Sequence, residues 1–485
     1  MKPVLTPEEM AAADRRAIAA GATEAVLVER AGRAVAHEAL SVLSGRYGRR
    51  AVVVCGKGNN GADGRVAARI LRMRGVGVDE FALADALDGA VLQRAVARAD
   101  IAIDAMFGTG FRGRLEGDAA QVAGVFEAAR ATVLAVDIPS GVDGATGAVR
   151  GPAVAADATV SFAALKPGLL FEPGRTLAGR VEVVDIGIDA GAPDLHVLDE
   201  RDLALPVRVA GAHKWSSGLL VIGGSTGMTG APVMSSRAAA RSGAGMVVCA
   251  LPGREAAARA SADEIVTRAL PATEGGALAE DAARAVLDGI GRFRAAAIGP
   301  GLGRDARTQA AIGRIIAEAP VPIVVDADAL NALAEDSAPL RVRHAAGLPL
   351  AVLTPHAGEY ERLAGEPVGE DRLAAARKLA ARTNAVVLLK GPGTVIAHPH
   401  GDALINRTDS PALATAGTGD VLTGIIAGLI ADGAAPYLAA ASGAYLHGLA
   451  ARVADTAPDL VASDLIAALH PTLELLRSRS GTAEV

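Results

Sequence analysis

The feature that most constrains the fold of this chain is a repeated alternation of short apolar runs with stretches of helical periodicity. Nearly every apolar run is followed by a turn that contains glycine, proline or an acidic residue. This alternation indicates βαβ units, in which helices join parallel strands and cover the sheet. We therefore predict an α/β protein. The predicted strands lie within residues 51–56, 101–108, 132–141, 158–166, 180–188, 218–225, 245–252, 295–303, 322–331, 350–359 and 385–398.

The composition agrees with parallel sheets packed under alanine-rich helices. Of the 485 residues, 51% are hydrophobic and only 2% are aromatic. The length suggests about two to four domains. A polar, proline-containing stretch with weak periodicity occupies residues 198–218, so we predict a domain boundary near residue 205, uncertain by about ten residues, with domains 1–205 and 206–485. Cys55 and Cys249 lie in separate apolar runs and are predicted to be buried thiols without a disulfide.

Charge and hydropathy argue against several classes of partner. The net charge is −6 and the chain has no long basic run, so we expect binding to neither nucleic acid nor anionic membranes. The N-terminus lacks the apolar core of a secretory signal. The longest apolar runs are shorter than the roughly 18 to 20 residues that span a bilayer. We expect a cytoplasmic protein.

Three glycine-containing polar loops follow strands of the first half. They contain "GKGNNGADG", "DAMFGTGFRG" and "DIPSGVDGATG", and each places an acidic residue beside glycines. Taken singly, each acid is explained as a cap or turn residue. Because the carboxyl ends of parallel strands meet at one edge, three such loops favour one shared pocket. Asn60, Asp104 and Ser140 offer hard oxygen ligands for a cation, although water or loop hydrogen bonds would satisfy them equally.

The stretch "ATAGTGDVLTGIIAGLIADG" (residues 414–433) predicts a different kind of site in the second half. Gly417, Thr418 and Gly419 can direct backbone N–H groups at one point and form an anion hole. Asp420 can then withdraw the proton of a hydroxyl that attacks phosphorus. The competing interpretation is an acid that stabilises its helix dipole, worth under about 1 kcal/mol on a surface.

Other loops of the second half support phosphoryl transfer. Lys390 lies at a strand-turn-strand junction. One interpretation is that this turn contacts nucleotide phosphates, and the other is that it is a plain hairpin. One interpretation of Asp326 and Asp328 is that one of them holds magnesium through water, and the other is that both are solvated turn acids. His356 is a substrate contact or a residue at a helix start. Gly424 and Gly428 predict either close packing of their helix against a neighbour or access for a flat ligand such as adenine. The sequence has no P-loop motif, so we do not expect a P-loop kinase.

The first-half loops "GNNGADG", "DAMFGTG" and "DIPSGVDGATG" resemble the epimerase domain of the NAD(P)H-hydrate repair enzymes over most of residues 1–200. The resemblance implies a Rossmann-like three-layer αβα domain that interconverts the R and S hydrates. It implies a potassium ion at Asn60, Asp104 and Ser140. The family usually has glycine at Ala62 and asparagine at Arg30, and an extra cation near the pocket would alter ligand contacts. The implied substrate residues are Asn59, Asn60, Gly61, Ala62, Asp63, Gly108, Thr109, Gly110, Phe111, Arg112, Gly113, Arg114 and Asp137.

The second-half motifs "GGSTGMTGAP", "GPGLG", "DADALN", "TPHAGEYERL" and "ATAGTGDVLTG" resemble ribokinase-like, ADP- or ATP-dependent NAD(P)H-hydrate dehydratases over about residues 205–475. The resemblance implies a C-terminal ribokinase-like αβα domain that uses ADP with Mg²⁺. It implies catalysis by Asp420. The implied substrate residues are Ala231, Gly303, His356 and Asp420, and the implied nucleotide residues are Lys390, Gly391, Pro392, Gly393, Thr394 and Gly419.

Together these patterns predict a bifunctional repair enzyme for hydrated NADH and NADPH, present as a homo-oligomer. Asp137 is the predicted acid–base residue of the epimerase, with Lys166 as the alternative. A second interpretation is a vitamin-precursor or sugar kinase that releases a stable phosphomonoester. A third is a nucleotide-binding scaffold, which Arg30 and Ala62 allow for the first domain only.

Overall fold

The computed structural model describes residues 1–44, 47–85, 87–260, 264–454 and 459–479. The chain divides into two compact units, Lys2–His196 and Val197–Val485, the latter with Met1. Each unit is built on a mostly parallel sheet with helical connections, so the predicted α/β class is confirmed. Within the described residues, no helix has both the length and the apolar character that a membrane span requires.

The N-terminal unit contains a six-stranded parallel sheet in the order β3-β2-β4-β5-β6-β7. The strands of this sheet are β2 (Arg50–Cys55), β3 (Gly77–Ala82), β4 (Ile101–Ala105), β5 (Thr132–Val136), β6 (Ala158–Phe162) and β7 (Arg180–Val184). Outside this sheet, β1 (Lys2–Pro3) lies at the start of the unit, and β8 (Leu195–Val197) lies at the division between the units. Its helices are α1 (Pro7–Ala19), α2 (Glu24–Val42), α3 (Asn59–Met73), α4 (Gly89–Val96), α5 (Gly117–Glu127) and α6 (Gly174–Leu177).

The central strands of this sheet are buried on both faces. Along β2, Val53 and Cys55 belong to the core shared with α2 and α3, whereas Val52 and Val54 belong to the core shared with α4 and α5. This alternation places helices on both sides of the sheet, as the predicted three-layer arrangement requires. Both cysteines of the chain are buried free thiols, as predicted.

The sheet of the C-terminal unit follows the order β17-β16-β15-β14-β13-β12-β9-β10-β11. It is parallel from β15 to β11, and β16 pairs antiparallel with both β15 and β17. Its strands are β9 (Gly218–Ile222), β10 (Met246–Pro252), β11 (Val266–Leu270), β12 (Ala295–Ile298), β13 (Ile323–Val325), β14 (Ala351–Leu353), β15 (Val386–Leu389), β16 (Val395–Ala397) and β17 (Ala403–Ile405). Its helices are α7 (Gly230–Arg241), α8 (Arg254–Arg259), α9 (Ala282–Ile290), α10 (Ala306–Glu318), α11 (Asp328–Glu335), α12 (Ala338–Ala345), α13 (Ala357–Ala364), α14 (Arg372–Thr383), α15 (Thr418–Ala431), α16 (Pro436–Ala454) and α17 (Ala462–Arg479).

Helix α15 packs unusually close to α7. A Cβ atom at Gly424 would lie 2.0 Å from the carbonyl oxygen of Ser235, and one at Gly428 would lie 2.8 Å from that of Ala239. The glycines therefore allow the two helix backbones to approach, and the packing interpretation is confirmed. Because α7 fills the space beside Gly424, a flat ligand has no room on that face.

Candidate active sites

In the N-terminal unit, a cavity of about 1050 Å³ lies at the carboxyl ends of the central strands. It is lined by the loops that follow β2, β4 and β5, together with residues of α1 and α2. The structure thus brings the three predicted polar loops to one pocket. The predicted substrate residues on its wall are Asn59, Asn60, Asp63, Gly108, Thr109, Gly110, Phe111, Arg112, Arg114 and Asp137. Within the described part of the chain, the wall does not include the predicted residues Gly61, Ala62 and Gly113.

Asp137 directly follows β5 and holds a left-handed backbone conformation, with φ of +67°. Its Oδ2 accepts the N–H of Thr109 at 3.0 Å, and its Oδ1 lies 2.6 Å from the ammonium of Lys166. Lys166 also donates to the Ser161 hydroxyl at 3.0 Å and to the Phe162 carbonyl at 2.8 Å. Because an ammonium has three N–H donors, Lys166 has none to spare. This geometry favours Asp137 over Lys166 as the acid–base group.

Of the further carboxyl groups that line the same cavity, two have a raised pKa. Asp63 is 6% exposed, and burial, together with the charges of Asp137 and Asp14, raises its pKa to about 8. Asp14 of α1 also has a raised pKa, mainly through burial. Sequence reasoning did not select Asp14. The signal was available, because Asp14 lies one turn after Met10, on the helix face that also buries Ala13.

Of the three residues proposed for potassium, Asp104 and Ser140 form a buried oxygen-rich pair. Asp104 is fully buried and accepts the Ser140 N–H at 2.8 Å and the Ser140 hydroxyl at 2.7 Å. Burial raises its pKa to about 6, against the hydrogen bonds that lower it. The side-chain nitrogen of Asn60 is buried and has no hydrogen-bond partner in the described structure. Since exchanging the amide nitrogen and oxygen would present an unpaired acceptor instead, this donor set fits a hard cation.

The two departures from the family pattern are both accommodated. Ala62 lies in the first turn of α3, where its N–H donates to the Gly58 carbonyl at 3.1 Å, so its backbone does not need a glycine. Arg30 is not itself on the wall of the cavity as described, but it donates at 3.0 Å to the carbonyl of Ile186, which lines that wall. The extra cation of Arg30 therefore lies beside the pocket wall, where a backbone carbonyl engages it.

In the C-terminal unit, Asp420 occupies the first turn of α15, directly after the predicted anion hole. Gly417 caps this helix with φ of +89°, and a Cβ there would lie 2.9 Å from the Met234 side chain. The first N–H groups of a helix have no acceptor within it, so they face a ligand or water. Burial raises the pKa of Asp420 to about 6, with a further contribution from Asp326.

A buried histidine supports this first turn. The ring Nε2 of His447, on α16, lies 2.8 Å from the carbonyl oxygen of Thr418. Burial lowers the pKa of His447 to about 4, so the ring is neutral, and Nε2 carries the hydrogen because a carbonyl only accepts. Sequence reasoning missed His447, although a lone histidine in a helix of alanine, glycine and leucine was a visible signal.

Lys390 begins the turn between β15 and β16, and these two antiparallel strands form the hairpin that one of the two interpretations predicts. Its ammonium lies 3.6 Å from the position of a Cβ on Gly419, so it borders the anion hole. It also lies 2.7 Å from Oδ1 of Asp326, which is 2% exposed. Burial alone would lower the pKa of Lys390, but the carboxylates of Asp326, Glu359 and Asp420 raise it. Asp326 is thus a buried, paired acid, and its interpretation as a solvated turn acid is wrong.

The remaining turn residues have local roles that the structure shows. His356 caps α13, because its Nδ1 accepts the Gly358 N–H at 3.0 Å, while Glu359 accepts the His356 N–H at 2.9 Å. The helix-start interpretation is therefore confirmed, and the imidazole is exposed, with its Nε2 at 3.6 Å from Oε1 of Glu359. Gly303 donates its N–H to Asp328 at 2.8 Å. The predicted nucleotide residues Gly391, Pro392, Gly393 and Thr394 form the hairpin turn after Lys390.

Comparison with known proteins links both units to one enzyme family. Residues 219–471 match the family described as NAD(P)H-hydrate dehydratase, and residues 24–94 and 85–168 match the family described as YjeF-related protein N-terminus. A bifunctional NAD(P)H-hydrate repair enzyme of Moorella thermoacetica is 44% identical over 465 residues, which cover 88% of this chain and 87% of the relative. A repair enzyme of the same name from Salinibacter ruber is 39% identical, with 96% and 95% covered.

A solved structure is also similar to the C-terminal part of the chain. It is the ADP/ATP-dependent NAD(P)H-hydrate dehydratase of Bacillus subtilis, co-crystallised with ATP and Mg²⁺. The sequences are 30% identical, the match covers 59% of this chain and all of that one, and the TM-score is 0.49. The two family matches and the full-length relatives carry the assignment, and this chain belongs to the bifunctional NAD(P)H-hydrate repair enzymes.

Proposed function

We propose that this chain repairs hydrated NADH and NADPH in two steps, with the epimerase domain at residues 1–205 and the dehydratase domain at residues 206–485. The first domain interconverts the R and S hydrates, and the second dehydrates the S form at the expense of ADP. The observation that carries the proposal is the placement of Asp420 beside a helix N-terminus that the Lys390 ammonium borders. The names of the full-length relatives support the same pair of activities.

In the dehydratase step, Asp420 accepts the proton of the ring hydroxyl as that oxygen attacks the terminal phosphorus of ADP. AMP leaves, and the hydroxyl becomes a phosphate ester. The ring nitrogen then donates its electron pair as the carbon–oxygen bond breaks, so phosphate departs, and loss of a neighbouring ring proton restores the reduced nicotinamide. The backbone N–H groups of the first turn of α15 and the Lys390 ammonium stabilise the negative charge on the transferred group.

Magnesium, when bound with the nucleotide, would neutralise phosphate charge. Asp328 is the acid of this site that fits a contact with magnesium through water. It is only partly buried, and its negative charge contributes to the raised pKa of Asp420. Within the described residues, no group of three or more histidine, cysteine or acidic side chains is arranged to hold a metal by itself. A metal that arrives with its nucleotide agrees with this arrangement.

In the epimerase step, the bond between the hydrated ring carbon and its oxygen breaks and re-forms. Asp137 moves the proton that this exchange requires, and Lys166 keeps the Asp137 carboxylate oriented. Asp63, with its raised pKa, is a neutral acid at physiological pH and offers a hydrogen-bond donor to the substrate. Potassium would be held by Asn60, Asp104 and Ser140, where it would supply positive charge near the pocket.

The deciding experiment follows a mixture of R and S hydrates with purified protein, with and without ADP. We expect R and S forms to equilibrate without nucleotide, and reduced dinucleotide, AMP and free phosphate to appear with ADP. An accumulating phosphomonoester would instead identify the kinase interpretation, and no R-to-S exchange would identify the first domain as a scaffold. The preference for ADP over ATP, the cytoplasmic location and the homo-oligomeric state are further predictions from the sequence.

A further inference from the structure

Both carboxylate oxygens of Asp326 are engaged by side chains of the protein. Its Oδ1 lies 2.7 Å from the ammonium of Lys390, and its Oδ2 accepts the hydroxyl of Thr423 at 2.6 Å. The residue is 2% exposed, so water does not replace these partners readily. Burial opposes ionisation, but the charge of Lys390 and the hydrogen bonds from Lys390, Thr423 and Thr354 outweigh it and lower the pKa of Asp326. The ionised carboxylate is therefore committed to protein partners.

Lys390 and Thr423 belong to two different elements of the site. Lys390 follows β15 and borders the anion hole at Gly419, whereas Thr423 lies on α15, three residues after Asp420. Asp326 itself directly follows β13. One carboxylate thus joins the strand end, the phosphate-contacting lysine and the helix that carries the catalytic base.

The backbone around Lys390 is fixed independently of this contact. Its N–H donates to the Pro355 carbonyl at 2.9 Å, and its carbonyl accepts Arg372 at 3.1 Å. The side chain is 21% exposed, and its ammonium pairs with Asp326, while the charges of Glu359 and Asp420 also attract it. A lysine side chain is flexible, so an unpaired ammonium would spread over several rotamers instead of facing one point.

We propose that Asp326 is a positioning residue of the dehydratase site, which holds the Lys390 ammonium against the nucleotide phosphates and ties it to α15, and that Asp326 is not a magnesium ligand. This inference rests on the proposed use of ADP by this unit. Asp326 touches neither substrate nor nucleotide in this account, so its effect passes through Lys390 and Thr423.

The test measures steady-state kinetics and ADP binding for three variants of the full-length protein. Asp326→Asn keeps the size of the side chain but removes the charge that holds Lys390. Thr423→Val removes one hydrogen bond to the carboxylate, and Thr423→Ser restores the hydroxyl. The matched control is Thr472→Val, since Thr472 is also a fully buried helical threonine but donates to the Ala468 carbonyl on α17.

We expect Asp326→Asn to raise both the KM and the calorimetric Kd for ADP by about tenfold or more, because a charge-assisted contact is lost. The kcat should fall by a smaller factor. Thr423→Val should raise the same constants by about threefold, Thr423→Ser should return them to within about twofold of wild type, and Thr472→Val should leave them unchanged. The Mg²⁺ concentration for half-maximal activity at saturating ADP should not change in Asp326→Asn.

Two results would overturn the proposal. One is a wild-type Kd for ADP in Thr423→Val together with a wild-type Kd in Asp326→Asn. The other is a Mg²⁺ requirement that rises in Asp326→Asn while the Kd for metal-free ADP stays constant, since that pattern identifies a metal ligand. If Asp326→Asn fails to fold, as a melting curve would show, the Thr423 pair decides alone. Failure of the wild type to consume ADP would instead refute the proposed function.

Discussion

The Lys166 ammonium lies 2.6 Å from Oδ1 of Asp137 in a pocket where the lysine side chain is 1% exposed. A buried pair of this kind is costly to break, because the remaining charge has no counter-ion. We expect Asp137→Asn to slow R-to-S exchange by at least about 100-fold, the range for loss of an acid–base group. We also expect it to lower the free energy of unfolding of the N-terminal unit by about 3 kcal/mol.

The exchange is measured by separating the two hydrates over time, and the unfolding free energy by denaturant titration. Asp79→Asn is the matched control, because Asp79 is an acid on the edge strand β3 that pairs with Arg50 at the surface. It should change neither quantity appreciably. Full exchange activity in Asp137→Asn would reject Asp137 as the acid–base residue and return Lys166 to consideration.

Replacement of Asp420 separates the two activities of the chain. Asp420→Ala removes the proposed general base while Gly417 and the first turn of α15 remain. We expect ADP-dependent formation of reduced dinucleotide to fall by about 100- to 10,000-fold, with R-to-S exchange unchanged. The measurement is AMP release together with absorbance of the restored nicotinamide. If the variant still dehydrates the S hydrate at the wild-type rate, Asp420 is not the base.

The pH dependence of the dehydratase follows from the pKa of Asp420, which burial raises to about 6. The base must be ionised to accept a proton, and protonation below its pKa removes the active form. The kcat/KM for the S hydrate should therefore rise about tenfold per pH unit below pH 6 and level off above it. A profile that stays flat between about pH 4.5 and 7 would contradict this assignment.

The sequence predicted the strands of both sheet centres but missed five of the described strands, which are β1, β3, β8, β11 and β17. Central strands such as β2 and β4 are buried on both faces and read as continuous apolar runs. In contrast, β3 and β11 carry several polar side chains because one face or edge meets solvent, and β17 has only three residues. Such segments lack a pattern that distinguishes them from loops.

The candidate sites show the same division between local and tertiary information. Glycine-rich loops at strand ends indicated which residues meet at each site, since parallel topology brings those ends together. The partners of Asp326 and the contribution of Asp14 were not predictable, because each depends on which distant side chain fills a buried position. Thr423 and Lys390, for example, meet at Asp326 from separate elements.

The oxygen cluster of Asn60, Asp104 and Ser140 predicts a dependence of the epimerase on potassium. Exchange of K⁺ for tetramethylammonium should slow R-to-S exchange, because a buried carboxylate and an unpaired amide would lose their common ligand. Ser140→Ala should raise the K⁺ concentration for half-maximal exchange by about tenfold, through loss of one oxygen ligand. Dehydration of purified S hydrate serves as the internal control. Equal exchange rates with and without K⁺ would exclude the site.

The contact of α15 with α7 predicts that Gly424 is essential for stability of the C-terminal unit. In Gly424→Ala the new methyl group would lie 2.0 Å from the Ser235 carbonyl oxygen, which is too close unless the helices move apart. We expect a loss of about 1 to 3 kcal/mol in the free energy of unfolding, the usual cost of overpacking. Because Ser235 also donates to the Asp420 carbonyl at 2.8 Å, the dehydratase should lose activity as the unit loses stability.

Gly291→Ala is the matched control, since Gly291 follows the last residue of α9 with φ of −63° and has open space around its Cβ position. Equal melting temperatures for the two variants would show that α7 accommodates the added methyl group without loss of stability. The packing of α15 against α7 would then not require glycine at position 424.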